Sequence, residues 1–166
     1  MALSDANTII QLIANVAVVA SVLFLAVQAR LGIRMLRDAA ERNHMDKHQS
    51  ISRMLSENPQ LAELWARGNL GGIEKLSAAE RVQFLNFYMY VLRIWEELYL
   101  QHCKGVIDKA VWEANARALR DTQVMTGAQD CWSIRRHMFT ATFRNFYEDE
   151  TERGEARPLY TKSTAV

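Results

Sequence analysis

Apolar residues run from position 9 to position 27 with no charged residue among them, and only Gln11, Asn15 and Ser21 in that run are polar. At about 1.5 Å per residue such a run makes a helix about 28 Å long, close to the thickness of a bilayer's hydrocarbon core. The pattern then changes. Positions 37 to 50 are polar nearly all round, apart from Met45 and two alanines. A helix of that kind crosses solvent or lies against a partner. Further along, apolar positions recur at spacings of three and four, and the alternation expected of strands is absent. The expected fold is all-α. An N-terminal segment and transmembrane helix occupy 1–30, a juxtamembrane helical stalk 31–57, a small cytoplasmic helical bundle 58–154, and an extended tail 155–166.

Caps and glycines divide the bundle. Asn58 before Pro59 reads as an N-cap followed by proline at the first helical position. The short helix it opens carries Leu61, Leu64 and Trp65 as its apolar stripe and is expected to stop at Gly68. Ser77 with Glu80 is a capping box that opens the longest helix of the bundle, ending near Gly105. Asp108 caps the next, whose inner face holds Val111, Trp112, Ala118 and Leu119. Gly127 precedes one last helix over 128–153, stopped by Gly154. The aromatics Trp65, Phe84, Phe87, Tyr88, Trp95, Trp112, Trp132, Phe139, Phe143 and Phe146 are the candidate core.

Polar residues inside the apolar run are the first candidate site. Gln11 and Asn15 lie four apart on one face, with Ala14, Ala17 and Ser21 on an adjacent one. In lipid, side-chain amides take helix partners and small residues let backbones approach, so this face is expected to mediate helix association. Basic residues set the orientation. Arg30, Arg34, Arg37 and Arg42 follow the run and only Asp5 precedes it, which places the N-terminus outside and the remainder in the cytoplasm. A cleaved secretion signal would carry basic residues before the run and a small-residue cleavage site after it, and neither is present.

Within the bundle, helix phasing puts Glu96 on an apolar side while Glu97 shares a polar stripe with Gln83, Asn86 and Arg93. Arg136 lies between Trp132 and Phe139. A buried acid and a buried base are stable only when they meet, so Glu96 is expected to contact Arg136 or its neighbour Arg135. His44 and His48 have the i, i+4 spacing of a two-histidine metal site, but no third ligand accompanies them and the segment lacks the glutamate of a metalloprotease motif. Neither His102 nor His137 follows a glutamate by three, which excludes the di-iron bundle motif. His102 beside Cys103 points about 100° away from it on a helix, so the pair does not make a nucleophile and its base. No phosphate-loop signature follows Gly68, Gly71 and Gly72.

Composition narrows the partners. With 20 basic and 19 acidic residues the chain has no electrostatic footprint for nucleic acid. Cys103 and Cys131 are in no metal-like spacing and read as buried thiols in a reducing compartment. No metal or cofactor is expected. The expected partners are membrane lipid and either further copies of the chain or the subunits of a larger membrane complex.

Several features together carry a resemblance. They are Asn58-Pro59 with Leu61, Leu64, Trp65 and Gly68; Leu76-Ser77 with Glu80, Arg81 and Phe84; Glu96-Glu97 with Tyr99; Gly105, Ile107, Asp108 and Trp112; and Trp132, Phe139, Phe143 and Phe146. Over about residues 9 to 147 the chain resembles a widespread set of uncharacterised bacterial proteins, domains of unknown function with one N-terminal membrane helix and a short helical cytoplasmic domain. The resemblance implies a bacterial inner-membrane location. It carries no activity and no functional residue. The expected function is therefore a non-enzymatic assembly, scaffold or accessory subunit, with a regulator that senses ligand, lipid or pH as the alternative.

Overall fold

A computed structural model describes residues 2–152, and the expected tail over 155–166 and the stop at Gly154 lie outside the described residues. Every regular element among them is helical. Helix α1 spans Ala2–Glu57, α2 Pro59–Gly71, α3 Ala78–Cys103, α4 Lys109–Gln123, α5 Thr126–Arg135 and α6 Ala141–Glu152, with single 3-10 turns at Ile73–Lys75 and Arg136–Met138. The chain divides into two compact units, with the boundary between Ala40 and Glu41.

The first unit is the N-terminal part of α1. It contains an 18-residue stretch with mean hydropathy 2.4, none of it buried. Its apolar side chains from Ile10 to Val27 are all exposed. By length and composition this helix is suited to cross a bilayer.

The second unit begins at Glu41, so the segment 31–57 expected as a juxtamembrane stalk belongs in part to the bundle. His44 is buried. Its Nε2 lies 3.2 Å from Asn115 Oδ1 on α4. The ammonium of Lys47 pairs with Glu97 on α3 at 2.5 Å. Ser50 shares a hydrogen bond with the Tyr90 hydroxyl at 2.9 Å. A helix that is polar all round can pack when its polar groups find partners, and hydrophobic periodicity does not register that kind of burial.

The expected caps are in place. Asn58 accepts from the Leu61 amide, Ser77 and Glu80 form the reciprocal capping box, and Asp108 accepts from the Ala110 amide. The expected stop at Gly68 is not. Helix α2 continues to Gly71, and Gly72 ends it with φ +76. Gly68 and Gly127 are instead a close crossing of α2 and α5. A Cβ on Gly127 would lie 2.5 Å from the Gly68 carbonyl oxygen and 2.6 Å from the Phe84 ring, so neither helix has room for a side chain there. Gly127 accordingly sits in the first turn of α5 and does not precede it.

Around that crossing lies the core. Phe84, Tyr88, Leu92, Leu119, Cys131 and Phe143 are fully buried. Trp65 packs on Phe84, Phe87 and Tyr88, while Tyr99, Trp112, Phe143 and Phe146 form a second aromatic cluster. On α4 it is Ala116 and not Ala118 that faces inward beside Trp112 and Leu119. Both cysteines are free, with Cys131 buried as expected and Cys103 exposed.

Candidate functional site

Helix α5 ends at Arg135 and α6 begins at Ala141, so the single last helix expected from the sequence is two. Phe139 between them is extended, with φ −99 and ψ 159. The break is gripped from α3. Arg93 donates to the Met138 carbonyl at 2.8 Å, and its guanidinium carbon stands 4.8 Å from the centroid of the Phe139 ring. Glu96, which is 5% exposed, accepts the Thr140 amide N–H at 2.7 Å and pairs with Arg93 at 2.5 Å.

This corrects the expected partner of Glu96. The acid is buried on the apolar side of α3, but its cation is Arg93 one turn back. Arg136 pairs with Glu148 at 2.7 Å, and Arg135 points its Nη1 at the Met138 sulfur. Glu97, on the polar stripe beside Arg93, pairs with Lys47. The physical reason is the break itself. It turns Arg136 out of the aromatic face and presents bare backbone donors and acceptors to α3. Glu96 and Arg93 satisfy them.

His44 and His48 do face one another, with ring centroids 4.5 Å apart, and His48 packs edge-on against Trp95 at 4.9 Å. Both are held below the ordinary histidine range. Burial is the main cause, and for His48, taken down to about 4, the neighbouring His44 adds to it. His48 Nε2 is buried without a hydrogen-bond partner. No group of three metal-binding side chains occurs among the described residues.

Between the end of α4, α5 and α6 lies a cleft of about 410 Å³. Trp132 of α5 and Tyr147 of α6 stack in its wall at 3.8 Å. Glu148 accepts from the Trp132 ring N–H at 3.3 Å and from Arg136. Gln123, only 2% exposed, donates from Nε2 to the Tyr147 carbonyl at 2.8 Å, while its buried Oε1 accepts from no group among the described residues. Sequence reading missed Gln123, Tyr147 and Glu148. Tyr147 follows Phe139 and Phe143 at helical spacing and was legible from that, whereas Gln123 gave no signal. A second groove of about 450 Å³, where α4 meets the ends of α3 and α6, is lined by His102, Trp112, Lys109, Arg117, Arg120 and Glu150 among others. There the buried carboxylate of Glu150 already holds Arg120 at 2.5 Å.

On α1, the expected association face is exposed throughout. Ser21 donates its hydroxyl to the Ala17 carbonyl at 2.7 Å and is thereby satisfied within the helix. Gln11 and Asn15 have no such internal bond among the described residues. Asn15 borders a shallow apolar groove with Val16, Val19, Ala20 and Leu23. No family model matches the chain, and neither a curated protein nor a solved structure matches it.

Proposed function

We propose that this chain is a membrane-anchored assembly or accessory subunit without enzymatic activity, joined to its partners by helix–helix contacts in the bilayer. The observation that carries the reading is the pair Gln11 and Asn15. Two side-chain amides stand one turn apart on an otherwise apolar, exposed helix, and nothing among the described residues of the chain satisfies them. In hydrocarbon an unpaired amide costs several kcal/mol on an apolar scale and about 1–2 kcal/mol in membrane peptides. A second helix carrying polar groups, from another copy or a foreign subunit, removes that cost. The arginines at 30, 34, 37 and 42 orient the helical domain to the cytoplasm of a bacterial inner membrane.

The test is the mass of the complex extracted gently from its native membrane, for the natural chain and for Gln11→Leu with Asn15→Leu. The expected result is an oligomer or a stoichiometric complex that the double substitution reduces to monomer. A natural chain that already runs as a monomer in lipid discs would overturn the proposal. A second reading, a regulator that responds to pH or to a ligand, is favoured by the buried His44–His48 contact.

A further inference from the structure

We propose that the partner of the membrane helix is a second copy of this chain, lying parallel to the first along one seam of α1 from Gln11 to Ala39. The inference rests on the assembly reading above and names its partner. Steps of alternately three and four residues from Gln11 pass through Ala14, Val18, Ser21, Leu25 and Gln28. That is the 3.5-residue repeat along which two helices wind around each other. Between positions 10 and 28 the polar residues are Gln11, Asn15, Ser21 and Gln28. All but Asn15 lie on the seam, and Asn15 flanks it beside Ala14. Ala14 and Ser21 alternate along it with larger side chains, which lets two backbones approach closely. The same steps continue through Met35 to Ala39, so the repeat is sustained over about four heptads and stays within the first compact unit. Gln11, Val18, Leu25, Gln28 and Met35 are all exposed on it.

Two observations select a second copy over a foreign subunit. A side-chain amide is both donor and acceptor, so Gln11 and Gln28 are each complete partners for their own counterparts at the same depth. The arginines that orient one chain orient the other, which makes the pair parallel and brings those counterparts level. The second observation is where the charge stands. On this repeat Arg30 and Arg37 fall diametrically opposite the seam, with Arg34 beside them, and all three are exposed. A second copy brings the same cations to the same depth, where they would repel if they faced one another. The repeat keeps them apart. A foreign subunit sets no such condition on where they lie.

The test is disulfide trapping of the full chain in its native membrane. Cys103→Ser removes the exposed native thiol, while Cys131 is buried and stays. On that background Ser21→Cys, Leu25→Cys and Met35→Cys, all on the seam, are each expected to give a covalent dimer when an oxidant is added. Leu23→Cys and Ile33→Cys, exposed on other faces, are expected to give none. Met35→Arg is expected to abolish the Leu25→Cys dimer by setting like charges face to face, and Ile33→Arg, off the seam, is expected to leave it. The inference is overturned by dimer bands of equal strength on all faces, which are chance collisions. It is equally overturned if the two arginines act alike, or if no seam position gives a band. In that last case the mass of the extracted complex tells the two readings apart. A foreign subunit overturns the second copy alone, and a monomer overturns the assembly reading with it.

Discussion

Glu96 accepts the amide N–H of Thr140, 44 positions further along the chain, at 2.7 Å. Thr140 is also where α6 starts, since its carbonyl takes the Arg144 amide and its hydroxyl the Phe143 amide. One buried carboxylate on α3 thus fixes where the last helix begins. Removing it leaves the Thr140 amide without its charged acceptor and Arg93 without its ion pair. Glu96→Ala is expected to cost about 1.5–3 kcal/mol, the range for hydrogen bonds to charged groups. Glu96→Gln keeps an oxygen for Thr140 and is expected to cost less than half as much. Urea unfolding of the two variants checks the difference, and amide exchange at Thr140 localises it. Equal losses would show that the carboxylate's charge alone matters.

The crossing of α2 and α5 supplies a prediction of opposite character, in which adding atoms is the injury. A methyl on Gly127 meets the Gly68 backbone at 2.5 Å, which a flexible side chain cannot relieve. Gly127→Ala and Gly68→Ala are each expected to destabilise by about 1–3 kcal/mol through overpacking. Gly32→Ala is the control. Nothing stands within 4 Å of a Cβ there and the residue lies inside α1, so helicity is expected to be unchanged or slightly increased. Thermal melts followed by circular dichroism decide it. A Gly127→Ala variant as stable as the natural chain would mean that the two helices separate easily.

These two cases also mark how far the sequence could be read. The all-helical fold, the caps at Asn58, Ser77 and Asp108 and most of the aromatic core follow from local rules, and local rules are visible in a single chain. Gly68 and Gly127 misled because a glycine that ends a helix and one that admits another helix look alike without the neighbour. The break at Phe139 misled because no proline or glycine marks it, and its satisfaction comes from Arg93 and Glu96 on a distant helix. The packing of α1 beyond Glu41 was hidden because it runs through hydrogen bonds and an ion pair, which leave no apolar stripe. Of the cleft, the aromatic wall was partly legible in Trp132, and the orphaned oxygen of Gln123 was not.

The caps give a smaller, sharper expectation. Asn58→Ala and Ser77→Ala each remove a side chain that accepts a first-turn amide, from Leu61 and Glu80 respectively. Each is expected to cost about 1 kcal/mol. Ser77 has a second effect, because Glu80 is held down to about 2 by Arg67 first and by Ser77 after it. Ser77→Ala is therefore expected to raise the Glu80 carboxyl only partway, with Arg67→Ala raising it further. Carbon-detected NMR titration of Glu80 reads both. The reverse order would show that the cap, and not the arginine, governs this carboxylate.

Acid is expected to loosen α1 from the bundle. His48, at about 4, and His44 are both lowered in the folded state by burial, so the folded chain binds fewer protons there than the unfolded chain, whose histidines titrate near 6.5. Stability from these residues is therefore fully present above about pH 6.5 and is lost as pH falls towards 4. The groups that face the pair set its size. Lys47 opposes protonation of His44, Glu97 and the bond to Asn115 favour it, His44 opposes protonation of His48, and Trp95 offers His48 only an apolar edge. His48 is partly accessible, and screening brings the expected loss between pH 7.5 and 5 to about 1–2 kcal/mol. Replacing both histidines by glutamine removes the titration and is expected to flatten the stability profile across that interval, at some constant cost in packing. The measurement is the melting temperature of the full chain in mild detergent at half-unit pH steps, natural against doubly substituted. Two profiles that fall in parallel below pH 6.5 would assign the acid sensitivity to other groups and remove the histidine pair from any regulatory reading.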